Sequence, residues 1–286
     1  MSGRAPADTA VNASALLARI VERYHETFCT RREGQAYLAA RGLTDPTLLK
    51  TFQIGYADGS LLKRLPRTGA VREQLRALGV ITAEGRELLG GCVVVPIPDP
   101  QTGAWTTLYG RGVRTARHCY LPGPLRGVLN FQAVRSSDTV ILTESILDAL
   151  SFLRAGITSA IPIYGTNGFT SDHLDLLTRE RVTRVILALD RDAAGQRATE
   201  SLRERLTAAG LAVRVLTYPA LGGRAILPKE DKRAAWAVTG TSPLWLPRSQ
   251  AAGSSARRRH NFARRALRDV PTPFEYRTAR LCAASR

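Results

Sequence analysis

Acidic side chains stand directly after two apolar runs in the middle of the chain. Glu144 follows the run 140–142, and Asp190 and Asp192 follow the run 185–189. Short aliphatic runs bounded by polar residues predict buried strands of a parallel sheet. Because the carboxyl ends of such strands share one edge of the sheet, we expect Glu144, Asp190 and Asp192 to meet there.

The spacing of these acids suits a metal ion. Asp190 and Asp192 are two residues apart, so their side chains leave the same side of an extended segment. Glu144 and Asp148 are four apart at a predicted helix start, which places both on one face. Converging carboxylates repel unless a cation or protons neutralise them, and oxygen ligands suit Mg²⁺ or Mn²⁺. The alternative is that Asp190 and Asp192 only cap the helix predicted at 193–206.

The surrounding stretch, 139–218, alternates apolar runs with helical patterns and predicts βαβ units with a parallel sheet. Residues 165–168 form a predicted turn at a strand end. The backbone N–H groups of Gly165 and Thr166 would bind phosphate there, although a plain turn explains the same sequence. His173 begins the next helix, and we expect it to be exposed.

These motifs resemble a Toprim domain, which topoisomerases, bacterial-type primases, some nucleases and recombination mediators share. The resemblance lies in Glu144 with Asp148, in Gly165-Thr166, and in the run LDRDAAG at 189–195. The motifs stand in the family's order over about eighty residues. The resemblance implies an α/β fold with a Toprim-like parallel sheet and flanking helices.

The N-terminal part carries a more selective resemblance. Residues 11–41 have a helical pattern, and Gly42 ends the predicted helix that holds Tyr37 and Leu38. Thr44 or Asp45 caps the next helix, and 52–56 predict a strand. A tyrosine–histidine helix, a YL–RGL helix end and an F-x-IGYA strand resemble the start of the bacterial-type DNA primase core. The segment resembles plasmid- and phage-associated primase-like proteins, of a kind that lacks the zinc-binding domain. The implied fold is an α+β half in front of the Toprim half.

A basic hairpin follows. Residues 91–99 predict a buried strand, and 104–113 pair back onto it after a turn. Arginine forks bind phosphate and tyrosine rings stack on bases, so this segment suits nucleic acid or nucleotides. The predicted binding residues are Arg111, Arg114, Arg117, His118 and Tyr120. A solvated basic hairpin without a specific role is the alternative.

Composition bounds the function. The 286 residues carry a net charge of +17, of which +10 lies in 221–286, and this favours a polyanionic partner. The sequence shows neither a membrane-spanning apolar run nor a secretory signal. The four cysteines form no C-x-x-C pair, so we expect free thiols, no zinc site and a cytoplasmic protein, with Cys119 beside the predicted binding loop.

The last segment departs from the primase pattern. A further acidic motif is expected after the last strand, and Glu230 and Asp231 are poor substitutes because no strand end precedes them. We therefore expect a primase-core region at 1–137, a Toprim domain at 138–220, and a basic, disordered or divergent tail at 221–286.

These observations predict a primase-like nucleotidyltransferase that makes RNA primers on single-stranded DNA. Glu144, Asp190 and Asp192 would be catalytic and, with Asp148, would hold Mg²⁺ or Mn²⁺. The expected partners are single-stranded DNA, ribonucleoside triphosphates, and a helicase or a separate zinc-binding template reader, which we expect this chain to lack. The alternative is a non-catalytic single-stranded DNA-binding accessory protein; a Toprim nuclease is disfavoured by residues 24–56.

Overall fold

The computed structural model describes residues 6–216. This part divides into two compact units, the first made of 6–40 and Leu49–Val128, the second of Arg41–Leu48 and 129–216. The predictions for the tail 221–286, for Cys282 and for Glu230 and Asp231 lie outside the described residues. The domain boundaries predicted from the sequence stay predictions.

Two helices open the first unit. Helix α1 spans Pro6–Thr30 and α2 spans Arg32–Ala39. The range predicted as helical, 11–41, is largely helical, but it is interrupted at Arg31, which is extended with φ −106° and ψ 122° and whose Nε donates to Asp58 at 3.0 Å. Helix α1 buries the apolar face that its three- and four-residue spacing predicts, including Leu17, Ile20 and Tyr24.

Short elements lead from α2 to the sheet. Helix α3 spans Pro46–Thr51, and the Asp45 carboxylate caps it by accepting from the Thr47 backbone N–H at 2.8 Å, as predicted. Strand β1 spans Gly55–Ala57, shorter than and displaced from the predicted 52–56, because Gln53 is left-handed with φ 49°. A 3₁₀ helix, Leu61–Arg64, and helix α4, Ala70–Ala77, follow.

The sheet of the first unit is antiparallel. Strands β2 (Cys92–Pro98), β3 (Trp105–Gly112) and β4 (His118–Tyr120) join β1 in the order β1-β2-β3-β4. All of β2 is buried, as its unbroken apolar run predicts. The β2–β3 turn is held by Asp99, whose carboxylate accepts from the backbone N–H groups of Gln101 and Thr102.

The second unit alternates helices and strands. Its elements are α5 (Phe131–Val134), β5 (Thr139–Thr143), α6 (Ile146–Arg154), β6 (Ala160–Pro162), α7 (Ser171–Arg179), β7 (Arg184–Ala188), α8 (Ala193–Ala208) and β8 (Ala212–Val215). The strands are all parallel, in the order β6-β5-β7-β8. The predicted fold class is confirmed: a Toprim-like parallel sheet with flanking helices follows an α+β half. No helix in the described residues is long and apolar enough to cross a membrane.

Candidate functional site

The ends of β5 and β7 bring two predicted acids together. The strands are parallel neighbours with Thr143 opposite Ala188, so the residues that follow each strand share one edge. The Asp190 backbone N–H donates to Oε2 of Glu144 at 3.0 Å, across a sequence separation of 46 residues. Glu144 and the Asp190–Asp192 segment therefore meet at the edge where the sequence places them.

Asp148 stands in the first turn of α6, where Ser145 is the N-cap. The Ser145 hydroxyl accepts from the Asp148 backbone N–H at 3.2 Å and donates to the Asp148 carboxylate at 2.7 Å. Because α6 begins at Ile146, Glu144 precedes the helix, and the predicted helical i,i+4 face shared with Asp148 was wrong. A serine directly before a helical pattern is the sequence signal that would have found this cap.

Asp192 caps α8. Its Oδ1 accepts from the Gly195 backbone N–H at 2.7 Å, so the capping alternative holds for this aspartate. Gly195 is also where the start of α8 lies close against the acidic edge. A Cβ at Gly195 would lie 2.1 Å from the Asp190 carbonyl oxygen and 3.2 Å from Oε2 of Glu144. Any larger residue there would push the helix away from both acids.

The acids act on one another electrostatically. Partial burial raises the pKa of Glu144, the hydrogen bond from the Asp190 N–H lowers it, and the charges of Asp190, Asp192 and Asp148 raise it. Together these effects raise the pKa of Glu144 above its ordinary value. The three aspartates are thus close enough to raise the pKa of Glu144, and a bound cation would relieve this repulsion.

The donor set fits a hard divalent cation, since it consists of carboxylate oxygens only. In the conformation recorded for residues 6–216, however, no three His, Cys, Asp or Glu side chains are arranged to hold a metal ion. One carboxylate oxygen each of Glu144, Asp148 and Asp192 accepts from a backbone N–H or a hydroxyl. These hydrogen bonds leave the second oxygen of each carboxylate available to a cation.

The turn after β6 lies against the same edge. The Gly165 backbone N–H donates to the Glu144 carbonyl at 2.8 Å, and the Gly168 N–H donates to the Gly165 carbonyl at 2.9 Å. Gly165 has φ +99°, which favours glycine, and a Cβ at Gly168 would lie 2.1 Å from the Ile163 carbonyl. The predicted phosphate-binding N–H of Gly165 is therefore already used to hold the turn beside Glu144.

His173 is buried, and its predicted exposure was wrong. Its Nδ1 accepts from the Thr170 backbone N–H at 3.2 Å, and its Nε2 lies 2.9 Å from the Pro162 carbonyl. Its ring stacks on Phe169 at 5.2 Å between centroids. Burial lowers the pKa of His173 to about 4, so the neutral ring joins β6 to the start of α7. The position of His173 three residues after a capping threonine is the sequence signal for this role.

The predicted binding residues of the hairpin divide between two faces. Arg111 and His118 are cross-strand partners, and so are Tyr109 and Tyr120, whose ring centroids lie 5.1 Å apart. Nε of Arg111 donates to the Tyr37 hydroxyl at 3.3 Å. This face, defined by Arg111, His118 and Tyr120, is named the hairpin face.

Arg117 and Arg114 are not on the hairpin face. Arg117 alternates with His118 along the strand direction, and its guanidinium donates to the Leu88 carbonyl. Arg114 is an exposed residue of the β3–β4 connection. Arg117 and a hydrogen bond with the Cys92 thiol lower the pKa of Cys119, and both cysteines are free thiols.

Comparison with known proteins gives the same architecture. A family model described as Toprim-like matches residues 141–224. A DNA primase of Deinococcus radiodurans is 30% identical over 202 residues, which are 64% of this chain and 35% of that protein. The chain thus spans about a third of the length of this curated relative.

Solved structures agree on the fold. An Aquifex aeolicus primase structure with zinc-binding and RNA polymerase domains matches with a TM-score of 0.67 and 23% identity over 81% of this chain and 60% of that chain. A DnaG primase catalytic domain bound to single-stranded DNA matches with a TM-score of 0.68 and 22% identity. The match covers 82% of this chain and 78% of that chain. The described residues therefore have the fold of a bacterial-type primase core with a Toprim-like domain, and the predicted resemblance is confirmed.

Proposed function

We propose that this chain is a primase-type nucleotidyltransferase that joins ribonucleotides into RNA primers on single-stranded DNA. The observation that carries the proposal is the meeting of Glu144 with the Asp190–Asp192 segment at the carboxyl edge of a Toprim-like sheet. The relatives named DNA primase support the same reaction. Because the chain spans about a third of such a relative, the full activity is inferred from the site.

The metal belongs to the proposal. Glu144, Asp148, Asp190 and Asp192 would hold Mg²⁺ or Mn²⁺, and Glu144, Asp190 and Asp192 would act in catalysis through the ion that they hold. When bound, such an ion polarises the α-phosphate and offsets the charge of the leaving pyrophosphate. Partial burial, and after it the charges of Asp190, Asp192 and Asp148, raise the pKa of Glu144, and a cation would offset both effects.

The protein's own groups position this edge. The Asp190 N–H orients the Glu144 carboxylate, the Gly165 N–H fixes the Glu144 backbone, and Gly195 lets α8 approach both acids. Thr166, within the same turn, would contact a phosphate of the nucleotide. The hairpin face would bind template or triphosphate through Arg111 and His118, with Tyr120 beside them and Arg114 at the margin.

The proposed partners follow from the reaction. Single-stranded DNA and ribonucleoside triphosphates are its substrates, and the DnaG catalytic domain of similar fold is a structure bound to single-stranded DNA. A helicase and a zinc-binding template reader are proposed as further partners. The Aquifex primase structure, which includes zinc-binding and RNA polymerase domains, supports the second of these.

A non-catalytic, single-stranded DNA-binding accessory protein is the second candidate. The specific observation in its favour is that Asp192 caps α8 and that the Asp148 carboxylate accepts from the N-cap residue Ser145, structural roles that need no catalysis. The unusual sequence at Glu230 and Asp231, which lies outside the described residues, points the same way. Relatives named DNA primase disfavour a Toprim nuclease.

One assay separates these candidates. The purified chain is incubated with Mg²⁺, single-stranded DNA and labelled ribonucleotides, and with end-labelled DNA in parallel. The proposal predicts short labelled RNA and intact DNA. Binding without RNA synthesis would favour the accessory protein, and shortened DNA would favour the nuclease.

A further inference from the structure

A small cavity lies beside the C-terminal end of α1. Three arginines and a single carboxylate, Asp58, line it. Its volume is about 150 Å³, and it lies entirely within the first unit. A water molecule takes about 30 Å³ of liquid, so a phosphate-sized group has room. We name this cavity the α1 pocket. It is lined by Arg23, Thr27, Thr30, Arg31, Asp58, Ser60 and Arg64.

The charges of the α1 pocket favour an anion. Three guanidinium groups face one carboxylate, and Asp58 is already satisfied by Arg31 Nε at 3.0 Å and by the Ser60 backbone N–H at 3.0 Å. The C-terminus of α1 adds about half a negative charge, which is smaller than the remaining excess of arginine charge. Even after Arg23 pairs with Glu26 outside the pocket, the balance stays positive.

Two of the arginines have unused donors. Nε of Arg23 is buried and has no hydrogen-bond partner in the described part of the chain. A buried donor without a partner calls for a bound group that the protein itself does not supply. The side chain of Arg64, at the end of the 3₁₀ helix, is exposed and makes no hydrogen bond or ion pair with any residue among 6–216.

We propose that the α1 pocket binds a phosphate group, with Arg23, Arg31 and Arg64 as its donors. Guanidinium forks match phosphate oxygens better than any other common anion-binding side chain. The phosphate belongs to a nucleic-acid backbone or to a free nucleotide, which share this chemistry. The proposal needs no polymerase activity, and the pocket shares no residue with the acidic edge or the hairpin face.

The test uses Arg64→Ala, because Arg64 supports no other described contact, and Arg67→Ala as the matched loss of one exposed arginine nearby. Binding of a labelled single-stranded oligonucleotide is measured against salt concentration, and ATP binding is measured separately, both with EDTA to keep the acidic edge free of metal. Inorganic phosphate serves as a competitor in both. Thermal unfolding checks that each variant is folded.

The proposal predicts that Arg64→Ala weakens binding of one ligand by about three- to tenfold relative to Arg67→Ala, as expected for the loss of one solvent-exposed hydrogen bond of ordinary net strength. If the ligand is DNA, the salt dependence also loses about 0.7 of a slope unit. A loss confined to DNA assigns the site to backbone phosphate, and a loss confined to ATP assigns it to a nucleotide. If Arg64→Ala and Arg67→Ala bind the oligonucleotide with equal affinity and also bind ATP with equal affinity, the proposal is overturned.

Discussion

At the scale of single residues, Glu144 is contacted by three segments: the end of β7, the turn after β6 and the start of α8. Its carboxylate accepts from the Asp190 N–H, its carbonyl accepts from the Gly165 N–H, and Gly195 leaves room beside it. These contacts hold an acid of raised pKa at a sheet edge. We expect a bound cation to lower the pKa of Glu144, because it would offset the charges of the neighbouring aspartates.

The first prediction is loss of metal binding in the Asp190→Asn/Asp192→Asn double variant. Asparagine keeps the N-cap hydrogen bond of α8 but removes two charges, so the fold stays while the cation loses its ligands. Mn²⁺ titration followed by electron paramagnetic resonance should show at least about a tenfold weaker site. Asp175→Asn, an exposed acid on α7, is the control. Equal Mn²⁺ affinity of all three proteins would place the metal elsewhere.

The second prediction is a pH dependence of stability from His173. Burial lowers its pKa from 6.5 to about 4, so between these values the unfolded chain binds a proton that the folded chain does not. Its contribution is therefore complete above pH 6.5 and is lost as the pH falls toward 4. His173→Gln keeps a donor and an acceptor without titrating. Between about pH 7.5 and about pH 5, its free energy of unfolding should therefore fall by about 2 kcal/mol less than that of the wild type. Urea unfolding at several pH values measures these free energies. An equal decrease in the wild type and in His173→Gln would contradict the prediction.

At the scale of elements, the hairpin carries a distinction that the sequence did not show. Alternation along β4 places His118 with Arg111, while Arg117 faces Cys119 and donates to the Leu88 carbonyl. The sequence grouped these arginines because they are close in the chain. Their separation follows from strand pairing, which fixes the face of each side chain.

The third prediction follows from that separation. Arg111→Ala should weaken single-stranded DNA binding by several-fold and lower the salt slope by about 0.7 of a unit, because one phosphate contact is lost. Arg117→Ala, which removes the same charge from the other face, serves as the control and should change both quantities less. Fluorescence anisotropy at several salt concentrations measures both. A larger effect at Arg117 would move the binding surface to the opposite face.

Local patterns predicted the elements best where burial is continuous. The apolar runs at β2, β5 and β7 correspond closely to the observed strands, because every residue of a buried strand must be apolar or satisfied. The predictions that failed depend on distant contacts. Arg31 breaks the N-terminal helix while its side chain contacts Asp58, and His173 is buried through its contact with Pro162.

At the scale of the molecule, the sequence predicted that three acids would share an edge, and the parallel pairing of β5 with β7 brings them there. It offered capping of α8 as an alternative role for Asp192, which the structure shows, but it did not predict that Ser145 caps α6 and binds the Asp148 carboxylate, because capping depends on where each helix begins. Nor did the motifs point to the α1 pocket, whose arginines come from separate segments and converge only in the fold.

The fourth prediction concerns residues 221–286, which carry +10 of the net charge of +17. A chain ending at Pro219 should bind single-stranded DNA more weakly at low salt, since long-range attraction scales with charge. Its Mn²⁺ affinity should be unchanged, because the acidic edge ends at Asp192. Thermal unfolding of the shortened chain is the control. A melting temperature several degrees lower would show that these residues belong to the fold.

The most direct test of the central claim is primer synthesis by four proteins: the wild type, Glu144→Gln, Asp190→Asn/Asp192→Asn and the control Asp175→Asn. Each is supplied with Mg²⁺, single-stranded DNA and labelled ribonucleotides. If the acidic edge carries the chemistry, the two site variants lose at least about a hundredfold in rate, ~2.7 kcal/mol of activation free energy, while DNA binding is retained. The wild type and Asp175→Asn should synthesise RNA equally. Synthesis that survives in both site variants would contradict the account.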